Sequence, residues 1–399
     1  MFTLLLIPPV SAVSEIISVC ERGCDHHSIN AAIDAASDGD VIQLAAETYF
    51  EGVAVDPRGK AVTIRGSTDS SGEPNSILDG DTGHQVISCR SGETEGTVFQ
   101  DLIIQHGSAG GGGGMGNIGS SPTLVNCRFR NNHAHDYGGG MLVYAGGPSL
   151  VDCTFEENST TFAGGAMYID NSDCRITRCT FRRNTTPGRG GGVANLGDGD
   201  STLDHCRFED NTALEGGGIY NYSSRPILTA CLFTGNAFMI NSGGDFGGGM
   251  YNHNSDPMLI DCTFRGNYGV EYGGGLFNYL SAPILDGCLI TDNLTSGLGG
   301  GIASFEGQPI LIDSRVCSNG PDQIFGGFQD LGGNHVGPRC PPPSCLTDLD
   351  RDGLTSGSDL GILFTAWGAC DSCLADLNHD DQVDGADLGL LFLNWGPCL

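Results

Sequence analysis

The stretch Gly247-Gly248-Gly249-Met250-Tyr251-Asn252-His253-Asn254-Ser255-Asp256-Pro257-Met258-Leu259-Ile260-Asp261-Cys262-Thr263-Phe264-Arg265-Gly266-Asn267 holds a glycine run, a short apolar strand, a turn, a Cys-x-Phe pair and an asparagine. A segment of about 26 residues with these landmarks occurs eight times between Ala109 and Asn319. The last residue of the glycine run recurs as Gly114, Gly140, Ala166, Gly192, Gly218, Gly249, Gly275 and Gly301, every step being 26 residues except one of 31. Cys127, Cys153, Cys179, Cys206, Cys231, Cys262 and Cys288 form a second series, which Ser314 completes. Five residues after each of these stands an asparagine: Asn132, Asn158, Asn184, Asn211, Asn236, Asn267, Asn293 and Asn319. Equivalent residues must therefore stack from copy to copy.

A unit this short cannot bury an apolar face alone, and it lacks the pattern of a helical repeat. Short strands remain, one after the glycines (Met250 to Asn252) and one through the cysteine (Met258 to Phe264), parted by Asn, Ser, Asp and Pro. Three short strands per 26 residues suit one coil of a parallel β-helix, with coils stacking at roughly 4.8 Å. The fold class expected is all-β, with a short amphipathic helix over Ser28 to Ala36 ending at Asp38-Gly39-Asp40.

The pattern resembles right-handed parallel β-helix proteins of the pectin-lyase-like fold. More narrowly it is similar to the polymorphic outer-membrane-protein repeat, whose Gly-Gly-Ala-aliphatic and Phe-x-x-Asn motifs appear as Gly164-Gly165-Ala166-Met167 and Phe155-Glu156-Glu157-Asn158. The resemblance covers roughly residues 25–335 and implies that the Ser28 helix caps the open end of the rod, a sheet edge otherwise exposed.

Pro338-Arg339-Cys340-Pro341-Pro342-Pro343-Ser344-Cys345 lies in a stiff linker, taken as residues 336–345. Beyond it, residues 346–399 form a small module of two 28-residue copies, each an acidic loop followed by a short apolar helix. The first loop runs Asp348-Leu349-Asp350-Arg351-Asp352-Gly353-Leu354-Thr355-Ser356-Gly357-Ser358-Asp359, and the second runs Asp376-Leu377-Asn378-His379-Asp380-Asp381-Gln382-Val383-Asp384-Gly385-Ala386-Asp387. Oxygen ligands at positions 1, 3, 5 and 12, a carbonyl at 7 and a further group at 9 are what calcium needs. The two candidate calcium sites are Asp348, Asp350, Asp352, Leu354, Ser356 and Asp359, then Asp376, Asn378, Asp380, Gln382, Asp384 and Asp387. Aspartate at position 12 and the lack of full entering helices make the module resemble a type I dockerin, which implies a cohesin-like protein partner. Asp381 departs from the glycine usual at position 6, so the second site is expected to be the weaker. Cys345, Cys370, Cys373 and Cys398 obey the same 28-residue spacing and suggest two disulfides, with three pairings open. Trp367 and Trp395 take matching positions and are expected in the core of the module.

A formal charge of −30 with one lysine, Lys60, argues against nonspecific nucleic-acid binding and suits a secreted or cell-surface protein. Residues 1–12 resemble the remnant of a secretory signal ending small-x-small, and nothing later is long and apolar enough to span a membrane as a helix. The ladder cysteines are expected as buried free thiols, because stacking alone does not set disulfide geometry. The ladder asparagines are expected to bond to their neighbours above and below.

Arg175, Arg178, Arg182, Arg183 and Arg189 crowd one coil and could attract a uronate chain. Register favours another account: Arg182-Arg183 align with Glu156-Glu157 and Glu209-Asp210, and Arg178 with Asp152, as cross-coil ion pairs. His133-x-His135-Asp136 has metal-like spacing in an expected turn, where solvated histidines are the commoner outcome. No catalytic signature of pectate lyases or polygalacturonases can be matched residue by residue. Alternation on the strand after the glycines points Met250 and Asn252 inward and Tyr251 outward. The outward rows make Tyr168, Tyr220, Tyr222, Tyr251, Phe277 and Tyr279 the candidate ligand-binding residues, for stacking on sugar rings or on a partner protein. A loop-covered, structural row is the alternative. The function expected is a polysaccharide-binding or partner-binding rod tethered by its tail. A polysaccharide lyase or glycoside hydrolase, or an adhesin-like surface protein, are the other readings.

Overall fold

The computed structural model describes residues 14–238, 246–340, 347, 349, 354–369, 375–378 and 382–397. The chain divides into two compact units, one ending at Pro338 and one beginning at Arg339.

Among the described residues the first unit is a solenoid of three long parallel sheets, with two shorter ones of three and four strands. One sheet has 13 strands, from Ile16–Val19 to Gln329–Asp330; a second has 10, from Ile87–Cys89 to Ile324–Phe325; a third has 12, from Thr48–Tyr49 to His335–Gly337. They are called sheets 1, 2 and 3 below. One coil supplies Met250–His253 to sheet 2, Met258–Ile260 to sheet 1 and Thr263–Arg265 to sheet 3. Pairing is in register, so Tyr251 lies beside Phe277, Leu259 beside Leu285 and Phe264 beside Ile290. The solenoid begins upstream of residue 25, at Ile16, whose strand pairs with Val41–Leu44.

The strand expected from Met258 to Phe264 is two strands, broken at Asp261, where φ is 52°. The equivalent corners at Asn126, Asp152, Arg178, His205, Ala230 and Asp313 also have positive φ. Left-handed backbone costs a non-glycine residue roughly 1–2 kcal/mol, so the repeat tolerates a strained corner in most coils, Gly287 taking it without that cost, to turn its inward residues toward a shared core. At the glycine run the reason is space as well as conformation. Gly247 has φ of +64°, and a Cβ on Gly248 would fall 2.5 Å from the Tyr268 carbonyl oxygen.

The core consists of ladders. Phe129, Phe155, Phe181, Phe208, Phe233 and Phe264 stack with successive centroids 4.3 to 5.1 Å apart and rings within 11° of parallel. All six are fully buried. From Asn158 on, each ladder asparagine presents one carbonyl oxygen to two donors: Asn211 Oδ1 accepts from the backbone N–H of Asn184 (3.1 Å) and from its Nδ2 (2.9 Å), whereas Asn132 Oδ1 accepts from the Gly107 N–H. Asn211 Nδ2 in turn donates to Asn236 Oδ1 at 3.0 Å and to the Phe181 carbonyl at 2.8 Å. The amides therefore bond above and below, as expected from their register. The seven ladder cysteines are buried free thiols. Cys206 donates to the Ile176 carbonyl of the preceding coil at 3.4 Å, and Ser314 repeats that bond with its hydroxyl to Leu285 at 3.1 Å, which accounts for serine in the eighth copy. Burial pushes the Cys127 and Cys179 thiols upward, away from the reactive thiolate. A disulfide joins Cys20 to Cys24, and Cys317 and Cys340 are also disulfide-bonded.

Helix α1, Ile29–Ala35, closes the N-terminal end by burying Ile29, Ala32 and Ile33 in the core of the solenoid. Ser28 caps it by accepting from the Ala31 N–H. Lys60 Nζ donates to the carbonyls of Ile33, Asp34 and Ala36 at 2.6, 3.0 and 2.7 Å, so the one lysine of the chain terminates the one helix among the described residues of the solenoid.

In the second unit, helices α2 (Gly357–Thr365) and α3 (Gly385–Leu393) each start with a capping box, Ser356 with Asp359 and Asp384 with Asp387. Short antiparallel ladders tie the two copies together, Leu354–Thr355 with Gly396–Pro397 and Gly368–Ala369 with Gln382–Val383. The core comprises Leu349, Leu363, Ala375, Leu377, Val383 and Leu391. Trp367 and Trp395 are not part of it. Each is 48% exposed and packs on an exposed Phe364 or Phe392. Four residues after Leu363 and Leu391 they would share the buried face of a longer helix, but α2 and α3 end first and the side chains swing outward. Asp348, Asp350, Asp352 and Asp380, Cys345, Cys370, Cys373 and Cys398, and the expected leader of residues 1–12 lie outside the described residues. Among the described residues no helix is long and apolar enough to cross a membrane.

Candidate functional site

Sheet 2 turns one side of each strand inward and the other away from the core. Its inward side carries a second amide ladder, Asn221 to Asn252 at 2.8 Å, Asn252 to Asn278 at 2.9 Å and Asn278 to Ser304 at 3.1 Å. Its outer side carries two rows in register. The first runs Tyr168, Ala194, Tyr220, Tyr251, Phe277, Ala303, and the second runs Asp170, Leu196, Tyr222, His253, Tyr279, Phe305. A third row comes from the residues just before the glycine runs, Tyr137, Ala163, Arg189, Glu215, Phe246, Tyr272 and Leu298, bridged in that order.

The third row decides what the first can do. Tyr168, Tyr220, Tyr251 and Phe277 point away from the core as alternation requires, yet they are only 8, 0, 6 and 4% exposed. Phe246 lies against Phe277 with centroids 5.0 Å apart, Tyr272 packs on the same ring at 5.9 Å, and Tyr137 covers Tyr168 at 4.5 Å. Between these two aromatic covers Arg189 reaches over Tyr220, its guanidinium carbon 5.2 Å from the ring centroid. The Tyr220 hydroxyl is buried without a hydrogen-bond partner, so this phenol acts as packing. The inner row is thus a second apolar core outside the sheet, which corrects the expectation of accessible side chains at Tyr168, Tyr220, Tyr251 and Phe277. The covering residues lie a few positions upstream, beside the glycines, where nothing in a strand pattern marks them.

The second row remains open. Tyr222 is 41% exposed, and His253, Tyr279 and Phe305 are half-buried. Tyr222 and His253 meet edge to face with centroids 5.0 Å apart, and His253 and Tyr279 do so at 5.1 Å. Burial holds the His253 imidazole below the usual histidine range, with Glu215 opposing and Arg189 adding to the effect, so the ring is neutral at pH 7. The arrangement offers a ladder of ring edges and faces, one per coil, with an ion pair at its foot: Arg189 Nε bonds Glu215 at 2.8 Å. Beside it the neutral pair Asn254 Nδ2 and Ser223 Oγ sits at 3.0 Å.

Of the clustered arginines, Arg178, Arg182 and Arg183 pair with the preceding coil as register suggested, and not with Glu209 or Asp210 of the following one, where Glu209 bonds Arg207. Arg178 makes two bonds of 2.8 Å to Asp152, Arg182 Nε bonds Glu156 at 2.9 Å, and Arg183 bonds Glu157 at 3.0 Å. His133, His135 and Asp136 lie on a strand, His133–Tyr137, rather than in a turn, and the His133 ring meets the Ser159 hydroxyl at 3.0 Å. An open cleft of about 830 Å³ lies elsewhere, lined by Glu93, Glu95, Ser121, Asn171, Asp173 and Arg175 among others. The Glu93 carboxylate there is already engaged by the Gly59 and Ser91 N–H groups and the Ser120 hydroxyl.

In the tail the described parts of the loops bury their acids. Asp359 and Asp387 are fully buried, Asp376 nearly so, while Asn378 and Asp384 are exposed and Ser356 is half-buried. Burial alone would raise the Asp387 carboxyl, but N–H groups of Asp384, Leu377 and Asn378 outweigh it and hold it below the usual carboxylate range. Asp376 and Asp387 are the buried acids in the described part of the second loop, and among the described residues no group of three acidic, histidine or cysteine side chains is placed to hold a metal ion.

A family described as right handed beta helix region matches residues 51–238 and 188–307. No curated protein is significantly similar to the sequence. Among solved structures, pectate lyase Pel9A is similar with a TM-score of 0.43 and 13% identity, over 87% of this chain and 86% of that one. The pectin methylesterase from Aspergillus niger gives 0.34 and 13%, over 83% and 91%. The tailspike protein gp49 from Acinetobacter baumannii bacteriophage Fri1, a capsular polysaccharide depolymerase, gives 0.37 and 11%, over 81% and 62%. At these identities and scores the three say nothing about chemistry.

Proposed function

The chain belongs to the right-handed β-helix family, and from that premise we propose that its solenoid binds an extracellular polysaccharide along the outer face of sheet 2. The observation that carries this reading is the half-open ladder Tyr222, His253, Tyr279 and Phe305, stacked in register over four coils. Rings held at a fixed spacing by the solenoid are pre-ordered, so a sugar chain lying across the coils would meet them at little entropic cost.

The tail is a calcium-dependent, dockerin-like module that tethers the rod to a cohesin-like protein outside the cell. Its support is a buried acid at position 12 of both loops, Asp359 and Asp387, with Asp376 buried at position 1 of the second, and a capped helix after each loop. Calcium there would neutralise Asp359, Asp376 and Asp387 and let their loops close, supplying folding free energy rather than chemistry.

Affinity electrophoresis of the whole protein through gels containing polysaccharide, with product release followed in parallel, tests the first claim. Retardation without products is expected. The ion pair of Arg189 with Glu215 close to His253 favours one second reading, a polysaccharide lyase or glycoside hydrolase, and release of unsaturated or reducing ends would establish that instead. Retardation by no polysaccharide would refute both. For the tail, the expected result is an increase in helical circular dichroism and in thermal stability on adding calcium to protein stripped by chelator; an unchanged spectrum would remove the calcium claim.

A further inference from the structure

Three charge features of the sheet 2 face agree. The open ladder has no charged side chain at neutral pH, since burial keeps His253 deprotonated. Among the described residues of the three outer rows the only cation is Arg189, and it is committed at 2.8 Å to Glu215 and stacked over Tyr220. The other charges next to the ladder are mostly acidic: Asp170 is in its own row two coils before Tyr222, Glu271 precedes Tyr272, and Glu306 follows Phe305, while the exception, Arg225, is exposed in the turn three residues after Tyr222 and outside the three rows. A polyanion approaching this face would meet repulsion from the neighbouring acids and from a chain of net charge −30. Among the described residues of the three rows it would also find no free guanidinium to pair with its carboxylates, and transferring Arg189 to it would strand Glu215, whose side chain is only 19% exposed. Neutral polar groups are at hand, namely the tyrosine hydroxyls and the Asn254–Ser223 pair.

Resting on the binding reading above, we infer that the glycan this face takes is uncharged, a chain of neutral hexoses or pentoses stacked ring to ring on Tyr222, His253, Tyr279 and Phe305, and not a polyuronate.

The test is affinity electrophoresis of the full chain in parallel gels holding a neutral glycan (galactomannan, xylan or hydroxyethyl cellulose) or an acidic one (polygalacturonate or alginate), at low and high salt and with and without calcium. Retardation is expected in at least one neutral gel, insensitive to salt, and in neither acidic gel. Tyr222→Ala should weaken it by about tenfold, the loss of roughly 1.4 kcal/mol expected when an aromatic stacking partner is removed. Retardation by polygalacturonate or alginate, whether or not calcium is needed, overturns the inference while leaving the binding reading in place, and its loss in Arg189→Gln would show where the carboxylates go. Retardation in no gel overturns the binding reading and this inference together. Neutral-glycan retardation unchanged in both Tyr222→Ala and Tyr279→Ala would place binding on another face and overturn the inference as well.

Discussion

Inside the solenoid and on the outer face of sheet 2, the same device is put to opposite uses. Both regions are columns of similar side chains repeated once per coil. In the interior the two main columns close on themselves: Phe155, Phe181, Phe208 and Phe233 each have a ring above and below, and from Asn158 on each ladder asparagine oxygen serves two donors of the preceding asparagine. Outside, one column is sealed by residues from the glycine flank and the next is left half-open. Stacking therefore does not by itself tell structure from function. What separates the two is whether a further row of the same coil lies on top.

The comparison is broken most directly inside. Phe208→Ala removes one ring from the middle of a filled column and should cost about 3–5 kcal/mol in urea unfolding; a loss under about 1 kcal/mol would mean that the column is not what holds the coils. Asn211→Ala leaves the Asn184 N–H and Nδ2 without their shared acceptor and should cost about 1–3 kcal/mol. Because coils interact mainly with their neighbours, both losses should appear as local opening before global unfolding, visible as hydrogen exchange confined to adjacent coils.

Outside, the comparison is sharpened by a pair. Tyr251→Ala should lower stability by about 2–4 kcal/mol, as a buried ring does, whereas Tyr222→Ala should stay within about 0.5–1 kcal/mol of the parent and weaken glycan retardation. Equal stability losses in calorimetry would erase the distinction between sealed and open rows. Arg178→Ala, which removes a solvent-exposed pair with Asp152, should change stability by no more than about 1 kcal/mol. The smallest effect expected is that of pH on His253. Its folded-state pKa lies below the ordinary value of about 6.5, so folding favours the neutral ring. That contribution is whole above the ordinary value and fades as pH falls below it. Stability and glycan retardation should therefore be flat from pH 8 to 7 and decline only on the acid side; a fall between pH 8 and 7 in either measurement would show the imidazole to be charged there.

Repetition made the solenoid legible. Glycine, cysteine and asparagine recurring in step could only be stacked coils, and the inward placement of Met250 and Asn252, the cross-coil pairs of Arg178, Arg182 and Arg183, and the helix at Ser28 all follow from register or period. The corner at Asp261 was not legible, because positive φ at Asp, Arg, His and Ala leaves no common residue type to read. Neither was the cover on Tyr220 and Tyr251. Alternation within a strand gives the side of the sheet that a residue faces but not what lies over that side, and Phe246 and Tyr272 come from another part of the coil. In the tail the loops and helices were visible from spacing, while the exposure of Trp367 and Trp395 depends on helices that stop two residues before them.

The thiol column has a practical consequence. Seven cysteines, each fully enclosed and each belonging to a different coil, are a set of built-in reporters. An alkylating reagent can reach Cys206 only when its own coil opens, so the rate at which each sulfur gains mass under native conditions measures that coil's opening equilibrium. Reading the seven rates in order would map stability along the rod with no engineered probe, and would reveal whether it frays from its ends or gives way in the middle.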